Sequence, residues 1–178
     1  MSDLGSATPC PGGGSAAALV AATAAALVLM VVGINLKREG GQKSASRELS
    51  RALSRLRGLV DEDARAYQRI SGFGKESRGT REYQSALKNG VKIPLQICEA
   101  CPSILEFAFK EKQRTGRWLL SDLLEAAILC KAAFKSARLN IEVNLGGIKD
   151  EKYSRRINLE LAEMERRLGR YDFPERIL

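Results

Sequence analysis

Apolar and polar positions divide the chain into five stretches with helical spacing. Residues 16–34 (AAALVAATAAALVLMVVGI) contain no charge and show no polar face. They predict a helix that starts from a cap at Ser15 or a preceding glycine and runs to about Leu36, before the turn Lys37–Gly41. From Ser44 to Ile70 an apolar stripe reads Leu49, Leu53, Leu56, Val60, Tyr67 and Ile70, the spacing of a heptad seam. Ser71–Thr80 (SGFGKESRGT) is a loop. A third helix follows to about Thr115, and proline chemistry predicts a kink or break at Pro94 and Pro102. A fourth runs from Arg117 to Leu145 and stops at Gly146-Gly147. The fifth, Asp150 to Leu168, turns Tyr153, Ile157, Leu161, Met164 and Leu168 inward, and RYDFPERIL forms an irregular tail. Short linkers between long helices predict an all-α fold, an up-and-down bundle of about five helices in one domain over residues 1–178.

The first helix fixes the surroundings it needs. Nineteen uncharged residues approach the length of a membrane span, but eight of them are alanine and no Lys or Arg precedes them. A central helix buried on every side fits better than a span or a secretory leader. Such a helix needs more neighbours than a small bundle supplies, so a homodimer is expected, without membrane association.

The seam of the second helix skips one member, and that position holds Asp63. A carboxylate on an inward stripe is costly unless it is hydrogen-bonded or paired, so a functional role is the stronger reading. Asp61, within reach of Arg57 and Arg65 at helical spacing, reads alone as surface charge. On the fourth helix Asp122, Ala126, Leu129, Ala133, Ser136, Asn140 and Asn144 share one side, and Leu120, Leu124, Ile128 and Ile141 make an apolar neighbouring face. Asn140 and Asn144, one turn apart, can address one ligand. Asp122 also suits a helix N-cap with Glu125. Gly12, Gly13, Gly14 and Ser15 leave free backbone N–H groups at a helix start, where an anion or carbonyl binds. Up-and-down connectivity gathers this loop, Asp63, Asn140 and Asn144 at one end of the bundle. It puts Asn35, Lys37 and Asp122 at the other, and an antiparallel dimer could join the two clusters.

Composition narrows the chemistry. The net charge of +8 favours anionic partners. Histidine is absent, so acid–base work falls to carboxylates, Lys, Tyr or Cys, and a metal is not expected. Cys98 and Cys101 form a CxxC without a partner pair at zinc spacing, and read as buried apolar residues with reduced thiols in a cytoplasmic protein. Aromatic residues lack stacking periodicity and no recognition-helix motif appears, which argues against nucleic-acid binding.

Several segments together resemble one family. TPCPGGGSAAAL is similar to the TPxPGGGS(V/A)AAL opening of the formiminotetrahydrofolate cyclodeaminase/methenyltetrahydrofolate cyclohydrolase family. LVDEDARAY resembles its LVDxDAxAF/Y element, Ile93-Pro94-Leu95 its VPL, SDLLEAA its SDLxVAA, and LNIEVNLGGIKDEKY its LNVxINLxxIxDExF. The likeness spans roughly residues 8–155. It departs before the glycine loop, where MSDLGSA replaces a short helix, at 116–120, where GRWLL replaces a GN-containing stretch, and after the first helix.

The resemblance implies an all-helical dimer acting on a folate one-carbon unit, without a cofactor beyond that substrate. It nominates Gly12, Gly13, Gly14, Ser15, Asp61, Asp63, Asp122, Asn140 and Asn144. Asp63 is the expected base, with Asp61 or Asp122 as second acid or orienting group. Asn140 and Asn144 would hold the pterin, Lys37 and nearby basic residues would suit the substrate's glutamate tail, and Asn35 is also a candidate for substrate binding. Hydrolysis of 5,10-methenyltetrahydrofolate to 10-formyltetrahydrofolate is the first expectation. Release of ammonia from 5-formiminotetrahydrofolate, an ammonia-lyase reaction, is the alternative, placed second because no formiminotransferase segment accompanies the chain. A non-catalytic basic scaffold or nucleic-acid-binding module is the reading from another class.

Overall fold

A computed structural model describes residues 3–39 and 43–171, which form five α-helices. They are α1 (Gly13–Glu39), α2 (Lys43–Ser71), α3 (Arg81–Lys112), α4 (Arg117–Leu145) and α5 (Glu151–Gly169). Short 3₁₀ turns at Asp3–Gly5 and Lys75–Gly79 fill the leader and the α2–α3 connection. Apart from Arg170 and Tyr171, the predicted irregular tail lies outside the described residues.

α1 is the centre of the bundle and touches α2, α3 and α4. Ala17, Ala18, Ala21, Ala24, Ala25, Val28 and Val31 are each at most 1% exposed. Small side chains let three helices approach it together, so the core consists of Ala and branched aliphatics around a few large residues such as Phe134, Leu56 and Ile104. By length and composition α1 is also the one described helix that could cross a membrane. In the bundle its apolar surface is largely covered, except for a stripe at Leu19, Met30 and Ile34 that stays about two-fifths exposed (39%, 42% and 39%).

Three expectations change. α3 runs unbroken through Pro94 and Pro102, because packing on both sides holds the helix where two backbone bonds are missing. α2 buries Leu49, Leu56, Leu59 and Ala66, with Leu53 and Val60 packed against the core, while Tyr67 of the predicted seam is 44% exposed. On α4 the inward residues are Leu123, Ala126, Ala127, Cys130, Ala133, Phe134, Ala137 and Ile141; Ile128, of the predicted apolar face, is 65% exposed. Cys98, Cys101 and Cys130 are free thiols inside this core.

The helices alternate in direction, so the ends of the bundle differ chemically. One end gathers the start of α1, the ends of α2 and α4, and the start of α3. The other gathers the end of α1, the starts of α2 and α4, and the end of α3.

Candidate active site

At the first end a cleft of about 350 Å³ opens between α1, α2, α3 and α4. Gly12, Gly13, Gly14, Asp63, Asn140 and Asn144 line it, along with Tyr67, Ile70, Tyr83, Leu87 and Gly90. Its formation begins in the loop 8–12. Cys10 Sγ donates to the Ala64 carbonyl at 3.3 Å, tying the loop to α2, and the chain turns into α1 with the Gly12 carbonyl accepting from the Ala16 amide at 3.0 Å.

The first turn of α1 then meets Asp63. Ser15, 2% exposed, reaches Asp63 Oδ2 at 3.0 Å and the Val60 carbonyl at 2.8 Å through its hydroxyl, and its backbone amide also hydrogen-bonds the carboxylate. A carboxylate at a helix N-terminus is favoured by the free N–H groups and the helix dipole. Burial nevertheless dominates, and holds the Asp63 carboxyl above the usual carboxylate range against both Ser15 hydrogen bonds. Gly14 makes the arrangement possible. A Cβ at that position would overlap the Asp63 carboxyl group.

α4 contributes two amides whose orientation is set by the protein. Asn140 Nδ2 donates to the Ser136 carbonyl at 2.9 Å, a bond within its own helix. Asn144 Nδ2 donates to the Gly90 carbonyl at 3.1 Å. That carbonyl is available because its regular helical donor would be the N–H of residue 94, and Pro94 has none. Gly90 also has no side chain to obstruct the approach; a Cβ there would stand 2.7 Å from Ile70 Cδ1 and 3.2 Å from Asn144 Nδ2. Each Nδ2 has one N–H engaged, which leaves each amide a second N–H and its Oδ1 for a ligand.

The cleft is therefore lined by one carboxylate, two amides and the start of α1. Asp63 is its one formal charge, and none of its lining residues is Lys or Arg. Tyr67 and Tyr83 supply aromatic wall, the second fixed edge-on against Phe73 with centroids 5.5 Å apart. Such a site suits a flat ligand rich in N–H donors or carrying a positive charge. Tyr83, Leu87 and Gly90 are not among the residues that sequence spacing picks out. Gly90 alone carried a readable signal, as a glycine four residues before a helical proline.

Other nominated residues lie elsewhere in the protomer. Asp61 is exposed on another face of α2, beside Asp3, Leu4, Pro11 and Ala16, and makes no ion pair among the described residues. Two residues along a helix rotate a side chain by about 200°, so Asp61 and Asp63 cannot share a face. Asp122 is half-buried at the far end of α4, the sixth helical residue; Gly116 holds the N-cap position, so the capping reading does not hold. It stands eighteen residues from Asn140, about 27 Å along the axis. Asn35 is fully buried at the same far end, where Nδ2 donates to Glu111 Oε2 at 2.8 Å and Thr115 Oγ1 at 3.0 Å and Oδ1 has no protein partner. Lys37 follows it in the last turn of α1.

Fold and site together define an all-helical protein whose cleft presents one carboxylate beside two amides held by the protein. Residues 1–163 match the model of the formiminotransferase-cyclodeaminase family, and the chain belongs to that family. Over 169 residues it is 30% identical to the methenyltetrahydrofolate cyclohydrolase of Methylorubrum extorquens, a match covering 86% of this chain and 81% of that protein. Among solved structures, the formiminotetrahydrofolate cyclodeaminase of Thermotoga maritima superposes with a TM-score of 0.80 at 27% identity, covering 94% of this chain and 86% of the other.

Two substitutions test the geometry. Gly14→Ala is expected to change stability by no more than about 1 kcal/mol, since alanine is the better helix former. It should still displace the Asp63 carboxylate and abolish ligand turnover, a split read by denaturant unfolding alongside kinetics. Pro94→Ala restores an N–H for the Gly90 carbonyl and frees Asn144. Its expected signature is a KM raised by about tenfold, the worth of one hydrogen bond, with kcat and unfolding midpoint nearly preserved.

Proposed function

We propose that this protein hydrolyses 5,10-methenyltetrahydrofolate to 10-formyltetrahydrofolate, with Asp63 as base and then acid. The observation that carries the proposal is the charge pattern of the cleft: a half-buried carboxylate without a cation among the cleft's lining residues, in one cleft with two amides. The methenyl substrate is a flat cation whose charge is spread over N5, the bridging carbon and N10. Asp63 stabilises that charge and lowers the barrier to attack at the carbon between the nitrogens. Ionised Asp63 removes a proton from the attacking water as the C–O bond forms. The tetrahedral intermediate then opens: its bond to N5 breaks as N5 takes the proton back from Asp63, while the hydroxyl gives its own proton to solvent and its C–O bond becomes the formyl C=O. The Oδ1 atoms of Asn140 and Asn144 accept from the pterin's N–H edge, and Tyr83 borders its face.

The Ser15 hydroxyl serves both protonation states. It donates to the ionised carboxylate, or turns its proton to the Val60 carbonyl and accepts from the carboxylic acid. Both oxygens lie within its reach, at 3.0 and 2.8 Å.

Release of ammonia from 5-formiminotetrahydrofolate is the second reading, favoured by the structural likeness to a cyclodeaminase. Its protonated formimino group presents the same cation to the same carboxylate. N10 attacks the carbon and gives its proton to Asp63, which returns it to the amino group that leaves as ammonia, so that N5, the carbon and N10 close into the methenyl cation.

The exposed stripe on α1, together with Ile128 (65%) and Leu139 (63%) on the adjacent α4, supports a homodimer. A dimer on this face covers large apolar side chains that one protomer leaves in water. Met30→Glu with Ile128→Glu is expected to halve the mass measured by sedimentation.

The central test follows methenyl absorbance in the near ultraviolet against the spontaneous rate, with ammonia release from the formimino compound measured in parallel. Asp63→Asn is expected to lower kcat/KM by at least about a hundredfold, the usual worth of a positioned acid–base group. In the parent, kcat/KM should rise with pH and level off above the raised pKa of Asp63. Stability runs in the opposite sense. A carboxyl raised by folding supports the fold when protonated, and that support is lost as pH rises through its folded pKa. Asp63→Asn should therefore gain stability over the parent across that same interval. Retained turnover of both compounds in Asp63→Asn would dismiss Asp63 as the acid–base group.

A further inference from the structure

Hydrolysis of the methenyl cation consumes one water and releases one proton, because N5 recovers only one of the two that the water brings. The surplus proton has to leave while product still occupies the cleft side of Asp63. Ammonia release has no such surplus, since its proton passes only from N10 to the leaving amino group. The structure offers a second way out of Asp63, on the side away from the cleft.

A second cavity of about 240 Å³ is lined by Asp3, Pro11, Ser15, Val60, Asp61 and Ala64, none of which lines the cleft. Its volume is well above the roughly 15 Å³ that one water needs, and its wall carries two carboxylates and a hydroxyl to hold a short chain of waters. Ser15 separates it from the cleft. The residue is 2% exposed, and its Oγ lies 3.0 Å from Asp63 Oδ2 and 2.8 Å from the Val60 carbonyl oxygen. One hydroxyl thus joins the cleft-lining Asp63 to two residues of the cavity wall. Asp61 follows Val60 along α2, is exposed, and makes no ion pair among the described residues. Its carboxylate is open both to the cavity and to bulk water.

Resting on the hydrolytic reading, we infer that Asp61 is the proton acceptor that returns Asp63 to its ionised form, through the Ser15 hydroxyl and water in this cavity. Asp63, ionised again once N5 has taken the first proton, receives the second from the intermediate's hydroxyl on its way to solvent. The Asp63 O–H bond then breaks as Ser15 Oγ gains that proton, and in the same step the Ser15 O–H bond breaks toward a cavity water. The water passes a proton to Asp61, and Asp61 loses it to bulk. Ser15 ends as the neutral hydroxyl it began as, and one proton has crossed a wall one side chain thick.

The experiment measures methenyl hydrolysis by Asp61→Asn and Asp61→Glu beside the parent, at low and high concentrations of a small buffer. Each rate is corrected for the uncatalysed reaction in the same buffer. Asp61→Asn is expected to lower kcat by about tenfold in dilute buffer, less than the loss of an acid–base group that meets the substrate itself, with KM unchanged. Added buffer should restore its kcat, by accepting the cavity's proton in place of Asp61. The parent and Asp61→Glu, which keep a carboxylate at this position, should be insensitive to buffer. Parental kcat for Asp61→Asn in dilute buffer, a loss that buffer does not repair, or an effect on KM alone would overturn the inference and leave the hydrolytic reading in place. A parent inert toward the methenyl substrate would end that reading, and the inference with it.

Discussion

The site depends on one close approach: the Asp63 carboxylate occupies the space where Gly14 has no side chain. That contact brings α2 to the first turn of α1, buries half of an ionisable group, and places it beside backbone N–H groups and the Ser15 hydroxyl. Two opposed effects act on the acid. Desolvation favours the neutral form, and the helix start favours the anion. Desolvation prevails and holds the carboxyl above its usual range, which makes it a stronger base than a solvated aspartate, while the Ser15 hydrogen bonds support its ionised form.

The second part of the site comes from a defect in a helix. Pro94 removes a backbone donor inside α3, and the orphaned Gly90 carbonyl is satisfied from another helix by Asn144. A missing hydrogen bond thus becomes a cross-link that orients a ligand-facing amide. Asn35 does comparable work at the far end, where it ties α1 to the end of α3 through Glu111 and to Thr115 in the turn beyond it. Both amides are buried or half-buried and both join helices, yet of the two only Asn144 lines the cleft.

Charge is segregated along the same helices. Adjacent faces of α2 carry the cleft, whose lining has no Lys or Arg, and a trough lined by Arg55, Arg65, Arg69 and Lys92, with Ala66 between them. The overall charge of +8 alone does not show where on the surface the cations stand.

Periodicity in the sequence was enough to determine the five helices, their alternating directions and the end of the bundle at which each polar residue lies. Local spacing fixes which residues share a helix face, and short linkers leave little choice of connectivity. Asp63 stood out because it interrupts an apolar stripe, and Asn140 with Asn144 because they repeat at one turn. Only the tertiary structure decided what these residues touch. It separated Asp61 from Asp63, carried α3 through two prolines, exposed Ile128, and added Tyr83 and Gly90 to the cleft. Those outcomes depend on contacts between helices distant in sequence. No local pattern encodes whether a proline's lost bond will be replaced by an amide from another helix, or whether a carboxylate will find a glycine opposite it.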